Sequence, residues 1–89
     1  MWAVRLTPQA RRQLKQLDEN IREDAISVLL DLEDGMFPAE TIQLRKHERY
    51  ERVKFAGNRF RIVYRIDRKN KRILVTVIRK RNENPYKGY

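Results

Sequence analysis

The chain has 89 residues and a formal net charge of +9, with 21 Lys and Arg against 12 Asp and Glu. It contains no Cys and one His, which excludes disulfide bonds and thiolate metal sites and argues against a His-based metal centre. No apolar run reaches the length of a membrane span, and residues 1–15 lack the apolar core of a secretory signal. We therefore expect one cytoplasmic domain, residues 1–89, with no membrane partner and no metal or other cofactor.

The first elements in chain order are a short strand and a helix. The apolar-rich segment Trp2–Leu6 predicts the strand. Thr7 can act as an N-cap, and Pro8 at the first helical position loses no hydrogen bond, so a helix is predicted from Pro8 to about Asp18. Its apolar stripe repeats at helical spacing and indicates one buried face.

A second helix is predicted from Asn20 to about Asp34. Asn20 and Glu23 resemble a capping box, and Gly35 is the expected C-cap. Its buried face is predicted to consist of four residues at i, i+3, i+4 and i+7: Ala25, Val28, Leu29 and Leu32. Residues 36–49 are predicted to be a connection without strands.

Three strands are predicted in the second half. In residues 50–55, Val53 and Phe55 point to one side, and Arg52 and Lys54 point to the other. A turn at residues 56–58 precedes a strand over 59–66, in which Arg61 lies on the side away from the apolar residues. The final strand, 72–81, is apolar on both faces, so its phase stays open: if Leu74 and Ile78 face the helices, Arg79 and Arg81 lie on the opposite face.

The element order β-α-α-β-β-β predicts an α+β fold. We expect an antiparallel-rich sheet with the N-terminal helical hairpin packed on one of its faces. The other face would then be open, and the outward-pointing cations of the strands would lie on it.

The positive charge is concentrated in the predicted sheet. Residues 45–89 contain 16 Lys and Arg against 4 Asp and Glu, whereas residues 1–44 contain 5 against 8. Apolar residues interrupt the cations at strand spacing, which indicates a folded sheet rather than a disordered basic tail. Such a surface attracts polyanions, and a nucleic acid is the expected partner.

The predicted open face carries the groups that metal-free RNA cleavage requires. The reaction needs a base for the 2′-hydroxyl, positive charge around the phosphorane and a proton for the departing 5′ oxygen. Neighbouring guanidinium groups disfavour the charged form of a lysine, which makes Lys54 a conceivable base. Arg61 and Arg81 are candidates to stabilise the transition state, and Tyr86 is a candidate to stack on an unpaired base.

Residues 50–86 resemble the RelE branch of the RelE/ParE toxin superfamily. The resemblance rests on the segments Arg52-Val-Lys54, Asn58-Arg-Phe-Arg-Ile-Val-Tyr64 and Arg79-Lys-Arg81, and on Tyr86. The helices over residues 8–34 are similar to the N-terminal hairpin of that family. The resemblance implies the toxin of a type II toxin-antitoxin system, a metal-independent, ribosome-dependent endoribonuclease that cuts mRNA in the A site. It also implies a small antitoxin partner with an acidic or amphipathic segment.

The same resemblance implies which residues are catalytic. The catalytic positions of RelE-type toxins carry over to Arg52, Lys54, Arg61, Arg81 and Tyr86. Two positions depart from the family pattern: Arg52 stands where Lys is usual, and the spacing from Arg81 to Tyr86 is one residue shorter than in the best-known members. We expect weaker RNA contacts from four further cations: Arg59, Arg65, Arg79 and Lys80.

Three alternatives remain at this point. A ParE-like DNA gyrase inhibitor would use the same scaffold for protein binding, without enzymatic activity. A plain nucleic-acid-binding module would bind duplexes and single strands alike. Within the nuclease hypothesis, His47 with Glu48 or Glu51 is an alternative acid-base pair, although we expect His47 to lie in a loop before the strand.

Overall fold

A computed structural model of the chain describes the backbone of residues 1–37, 42–44, 47–57 and 59–80, and the side chains of these residues except 42–44 and 47–51. Its elements are β1 (Ala3–Leu6), α1 (Pro8–Gln16), α2 (Glu19–Glu33), β2 (Ile42–Leu44), β3 (His47–Phe55), β4 (Phe60–Asp67) and β5 (Arg72–Lys80). The strands form one sheet in the order β1-β5-β4-β3-β2. The pairing of β1 with β5 is parallel, and the other pairings are antiparallel. The predicted α+β fold is confirmed, with β2 as an additional strand.

The beginning of α1 agrees with the sequence pattern. Thr7 is the N-cap, and its Oγ1 accepts a hydrogen bond from the Ala10 N–H at 3.1 Å. Pro8 occupies the first turn, where a missing N–H leaves no carbonyl without a donor. The helix ends at Gln16 rather than near Asp18, because Asp18 is already the N-cap of α2.

The predicted start of α2 is wrong by two residues, because the N-cap is Asp18 rather than Asn20, and the predicted end is confirmed. The helix begins at Glu19, so Asn20 lies inside it and does not form the N-terminal half of a capping box. At the other end, Gly35 has a φ of 75°. The N–H groups of Gly35 and Met36 donate to the carbonyls of Leu32 and Asp31, at 3.0 and 2.8 Å, which is the Schellman arrangement.

The hydrophobic core lies between the helices and one face of the sheet. On α2 the predicted inner face is confirmed, with Ala25 and Leu32 fully buried and Val28 and Leu29 packed against the core. The sheet contributes eight buried residues to the same cluster: Val53, Phe55, Phe60, Ile62, Tyr64, Ile73, Val75 and Ile78. Both helices therefore cover a single face, and within the described residues the other face carries no helix.

A β-bulge in β5 decides which residues of that strand reach the open face. Val77 pairs with Val63 and Val75 pairs with Tyr64, so Thr76 is an additional residue between the two pairs. The bulge reverses the alternation of side chains along the strand. Ile73 and Val75 face the helices before it, and Ile78 faces them after it. The phase that the sequence left open therefore differs between the two halves of the strand: Leu74 and Arg79 both lie on the open face, although Ile78 faces the helices.

The N-terminal part of α1 covers the edge of β5 that β1 leaves unpaired. The register of β1 with β5 ends at Val75. The Thr7 N–H donates to the Val75 carbonyl at 3.0 Å, and the Thr7 hydroxyl donates to the Thr76 carbonyl at 3.4 Å. Further along, Oε1 of Gln13 accepts the Ile78 N–H at 2.8 Å. These bonds fix the half of β5 that carries Arg79.

The segment predicted to be a connection contains β2 and the first residues of β3. Ile42 pairs with Arg52 and Gln43 pairs with Glu51, so β2 forms the edge of the sheet beside β3. The strand β3 begins at His47 rather than at residue 50. The expectation that His47 lies in a loop before the strand is therefore wrong. The strand pattern was hidden because charged residues dominate residues 45–49.

Candidate nucleic-acid interface

Three cations form a continuous row across the open face of the sheet. Lys54 of β3 lies directly opposite Arg61 of β4, and Arg61 lies directly opposite Arg79 of β5. Opposed residues of antiparallel strands have their side chains on the same face, about 4.5–5.5 Å apart at Cβ. Like charges at this separation weaken a sheet, so the cation row (Lys54, Arg61 and Arg79) is a feature that the fold tolerates rather than requires.

Arg52 extends the cation row toward the middle of the sheet. It lies opposite Val63, which in turn lies opposite Val77. Both valines are fully buried, although they are on the face away from the helices. Long arginine stems commonly cover apolar residues while the charged group reaches outward. The arrangement therefore places two buried valines beside four cations.

The cations of this site are partly withdrawn from water. Arg52, Lys54, Arg61 and Arg79 are all half-buried. The Nε atoms of Arg52 and Arg61 are buried within the surface of the sheet. Partial desolvation strengthens the attraction of a guanidinium group for an anion, because fewer water molecules screen it. The planar donor fork of Arg also fits two oxygens of one phosphate group.

The remaining predicted site residues fall into three groups. Arg65 is on the same face as the cation row, four residues further along β4, and is exposed. Lys80 lies opposite Phe60 and therefore on the other face of the sheet, while Arg59 lies in the turn before β4, where its Nε donates to the Ala56 carbonyl at 3.1 Å. The predicted residues Arg81 and Tyr86 lie outside the described residues.

The sequence also marked groups with other possible roles. Tyr64 is fully buried in the core and does not contribute to the open face. The side chains of His47, Glu48 and Glu51 are outside the described part of the structure. In the described part, no group of three or more His, Cys, Asp or Glu side chains is arranged to hold a metal ion.

Sequence reasoning named Arg65 as an RNA contact but missed the group of cations to which it belongs, at the other end of the open face. A half-open pocket of about 630 Å³ lies across β1, β5 and β4. Its lining includes Arg5, Arg65 and Arg72 around Leu74, together with Ala3, Asp67 and Ile73. The alternation in β1 places Arg5 away from Val4 and Leu6, which was a usable signal. The parallel pairing that brings Arg5 beside Leu74 had no signal in the sequence.

Asp67 is an acidic residue of this pocket. Its carboxylate accepts hydrogen bonds from the backbone N–H and the side-chain amide of Asn70, at 3.2 and 2.9 Å. These bonds lower the pKa of Asp67 below its ordinary value, and the nearby charge of Arg72 acts in the same direction. Asp67 is therefore ionised at neutral pH and offsets part of the positive charge of the pocket.

A family model of known toxins matches nearly the whole chain. The family model described as the ParE toxin of the type II toxin-antitoxin system parDE matches residues 4–85. A comparison with curated protein sequences found no match. None of the helices in the described residues is both long and apolar enough to cross a membrane.

Solved structures share the fold at low sequence identity. A chain of the RelBE2 toxin-antitoxin complex from Mycobacterium tuberculosis superposes with a TM-score of 0.75 at 23% identity, covering 90% of this chain and 98% of that one. A chain of the intact Escherichia coli RelBE complex gives 0.75 at 19% identity, covering 93% and 100%. A chain of the archaeal RelE-RelB complex from Pyrococcus horikoshii gives 0.74 at 19% identity, covering 92% and 97%. The likeness extends over nearly the whole of each chain.

Proposed function

We propose that this chain, which belongs to the family of ParE toxins of type II toxin-antitoxin systems, is a toxin that cleaves mRNA on the ribosome as a metal-independent endoribonuclease. The observation that carries the proposal is the cation row on the open face, with Arg52 beside it. An inhibitor acting by protein binding alone has no need of four half-buried cations around one point on a sheet. A phosphodiester and its transition state do need such a group.

The proposed reaction is an internal transfer of the phosphate. Lys54 removes the proton of a 2′-hydroxyl, and the oxygen attacks the adjacent phosphorus. Arg61 and Arg52 bind the non-bridging oxygens as negative charge builds up in the phosphorane. The bond to the 5′ oxygen breaks and this oxygen takes up a proton from water, which leaves a 2′,3′-cyclic phosphate and a 5′-hydroxyl. We assign Arg81 to the same charge stabilisation and Tyr86 to stacking on a base next to the cut.

The ribosome would supply what the open site does not enclose. The cations lie on a sheet face rather than in a deep cleft, so the protein alone imposes little order on a flexible RNA strand. A ribosome holds mRNA in a fixed path and can align the 2′ oxygen with the bond that breaks, which is a large part of catalysis. The proposed site of action is accordingly the cytoplasm.

The proposed physiological inhibitor is a cognate antitoxin. The solved relatives are described as complexes of RelE-type toxins with RelB antitoxins. For this chain, the cationic open face favours an antitoxin segment that is acidic or amphipathic and covers the cation row. Arg59, Arg65 and Arg79 are proposed as additional contacts to RNA, whereas Lys80 is not, because it lies on the other face of the sheet.

The activity is tested by primer extension on mRNA in programmed ribosomes. We expect cuts at the A-site codon that require ribosomes, persist in EDTA-treated protein and disappear when the attacking nucleotide carries a 2′-hydrogen. The downstream fragment should be labelled by polynucleotide kinase without prior phosphatase treatment, because its 5′ end is a hydroxyl. Intact mRNA together with inhibition of DNA gyrase in a supercoiling assay would replace the nuclease with the non-enzymatic alternative.

A further inference from the structure

The pocket at the far end of the open face has the composition of an anion site with an apolar floor. Leu74 lies between Arg5 and Arg65 in the register of the three strands. It is one of the large apolar residues that remain exposed, at 36%. Arg5, Arg65 and Arg72 are exposed around it. Their guanidinium groups are therefore accessible to a ligand that enters from the open side of the pocket.

The charges of this pocket favour a ligand with a strong negative charge. Three guanidinium groups line it with one carboxylate, that of Asp67. The Asp67 carboxylate is hydrogen-bonded to Asn70 in the turn and forms part of the lining of the pocket. Its negative charge offsets about one of the three positive charges. The remaining positive charge is carried by Arg alone, whose planar fork binds two oxygens of a phosphate at once.

The pocket and the cation row lie on one continuous surface. Arg61 and Arg65 are both on β4 and both point to the open face. Four residues of a strand span about 13 Å, a distance that a few nucleotides of extended single strand can cover. The buried pair Val63 and Val77 lies between the two groups of cations, and Arg52 lies directly opposite Val63 in the same row.

We propose that the Arg5, Arg65 and Arg72 pocket is a second phosphate-binding subsite for the same RNA strand whose phosphodiester lies at the cation row. The inference rests on the proposed function. One phosphate is cut at the cation row, a second phosphate of the strand is bound by the three arginines, and the attached sugar or base lies over Leu74. The pocket would thus set the direction of the strand along β4. An acidic peptide would also be attracted, but it would not need two anion sites on one line that leads to the cation row.

The subsite is tested by binding of a labelled, fully 2′-O-methylated hexanucleotide over a series of salt concentrations, followed by fluorescence anisotropy. Each phosphate contact contributes about 0.7 to the slope of log affinity against log salt for a single strand. We expect Arg5→Ala/Arg65→Ala to weaken binding and to flatten the slope by about 0.7. Binding of a dinucleotide, measured by competition, should change little, because it cannot reach both sites.

Two further variants make the result specific. Arg12→Ala removes one exposed positive charge from α1, which packs on the opposite face of the sheet, and should leave the slope unchanged. Asp67→Asn removes the carboxylate of the pocket and should strengthen hexanucleotide binding severalfold, an increase that a misfolded protein would not show. Thermal unfolding of each variant checks that the fold is retained.

Three results would overturn the subsite. The first is an unchanged salt slope in Arg5→Ala/Arg65→Ala, and the second is an equal change of slope in Arg12→Ala. The third is a loss of binding in Arg5→Ala/Arg65→Ala that is seen only when an acidic peptide replaces the RNA as the probe.

The 2′-O-methylated RNA is not cut, so this measurement does not depend on catalysis. If the wild-type protein cuts mRNA on the ribosome but the pocket variants bind like the control, the subsite is wrong and the proposed function stands. If the wild-type protein does not cut, the proposed function fails separately.

Discussion

Replacing Lys54 with Gln should stabilise the fold while removing a group on which the proposed activity depends. Lys54 lies directly opposite Arg61, and directly opposed like charges cost about 0.2–1 kcal/mol. Coulomb's law gives about 0.7 kcal/mol for two unit charges about 6 Å apart in water. Gln keeps part of the methylene stem without the charge. We expect the free energy of unfolding to rise by about 0.5 kcal/mol, which for a domain of this size raises the Tm by about 2–4 °C.

The assay is chemical and thermal unfolding of both proteins at low and high salt. At about 1 M salt the Debye length falls to roughly 3 Å, so the stabilising effect of Lys54→Gln should shrink. Lys15→Gln is the matched control, because Lys15 is exposed in the last turn of α1. A cation is favourable near the C-terminus of a helix, so this variant should show no increase in stability. A decrease in stability of Lys54→Gln, or an increase that is independent of salt or equal in the control, would refute the reasoning.

Three further predictions concern the fold and its pH dependence. Gln13→Leu should lower the free energy of unfolding by about 1 kcal/mol, because Oε1 of Gln13 accepts the Ile78 N–H. Chemical denaturation measures this loss, and unchanged hydrogen exchange at the Ile78 amide would contradict the prediction. Gly35→Ala and Gly57→Ala should each lower the free energy of unfolding by about 1–2 kcal/mol, because both positions have a positive φ. Only at Gly35 would the new Cβ also meet the indole of Trp2, at 3.0 Å. Gly35→Ala should therefore be the less stable of the two by denaturation and should alone change the tryptophan fluorescence; equal losses would refute this contact. The lowered pKa of Asp67 means that its contribution to stability is present above the ordinary carboxyl value of 3.8 and is lost as the pH falls through the folded value. The wild type should have a higher Tm than Asp67→Asn, by an amount that is constant from about pH 7 to 5 and becomes smaller below about pH 4. A Tm difference that is unchanged at about pH 2 would contradict a stabilising role of the ionised carboxylate.

The alternation of residue types was sufficient to predict the two central strands of the site. Val53 and Phe55 are buried as expected, so Arg52 and Lys54 had to point to the open face. A strand has a period of two, and one apolar face fixes the direction of every side chain on it. The same argument placed Arg61 on β4.

The last strand did not allow this argument. Both faces of β5 are apolar at its centre, and the alternation is reversed at Thr76, a residue that resembles its neighbours in strand propensity. No local pattern distinguishes a bulge from a regular strand here. Knowledge of the partner strand was required to place Leu74 and Arg79.

Elements that depend on partners distant in the chain could not be predicted from the sequence either. The strand β2 has three residues and is held by its pairing with β3. The pocket around Leu74 exists because β1 pairs with β5 in parallel, across more than 60 residues of chain. Short-range patterns predict which residues can form a strand, whereas the identity of the neighbouring strand is set by packing of the whole domain.

The most direct test of the central claim is the single-turnover rate of mRNA cleavage on programmed ribosomes by Lys54→Gln, with Lys15→Gln measured in parallel. Removal of a general base typically lowers a rate about 10²–10⁴-fold. We expect a loss of this size for Lys54→Gln, with unchanged ribosome binding and a fold at least as stable as that of the wild type. Lys15→Gln should cut at the wild-type rate. Equal rates for the two variants would contradict the assignment of the chemistry to the open face of the sheet.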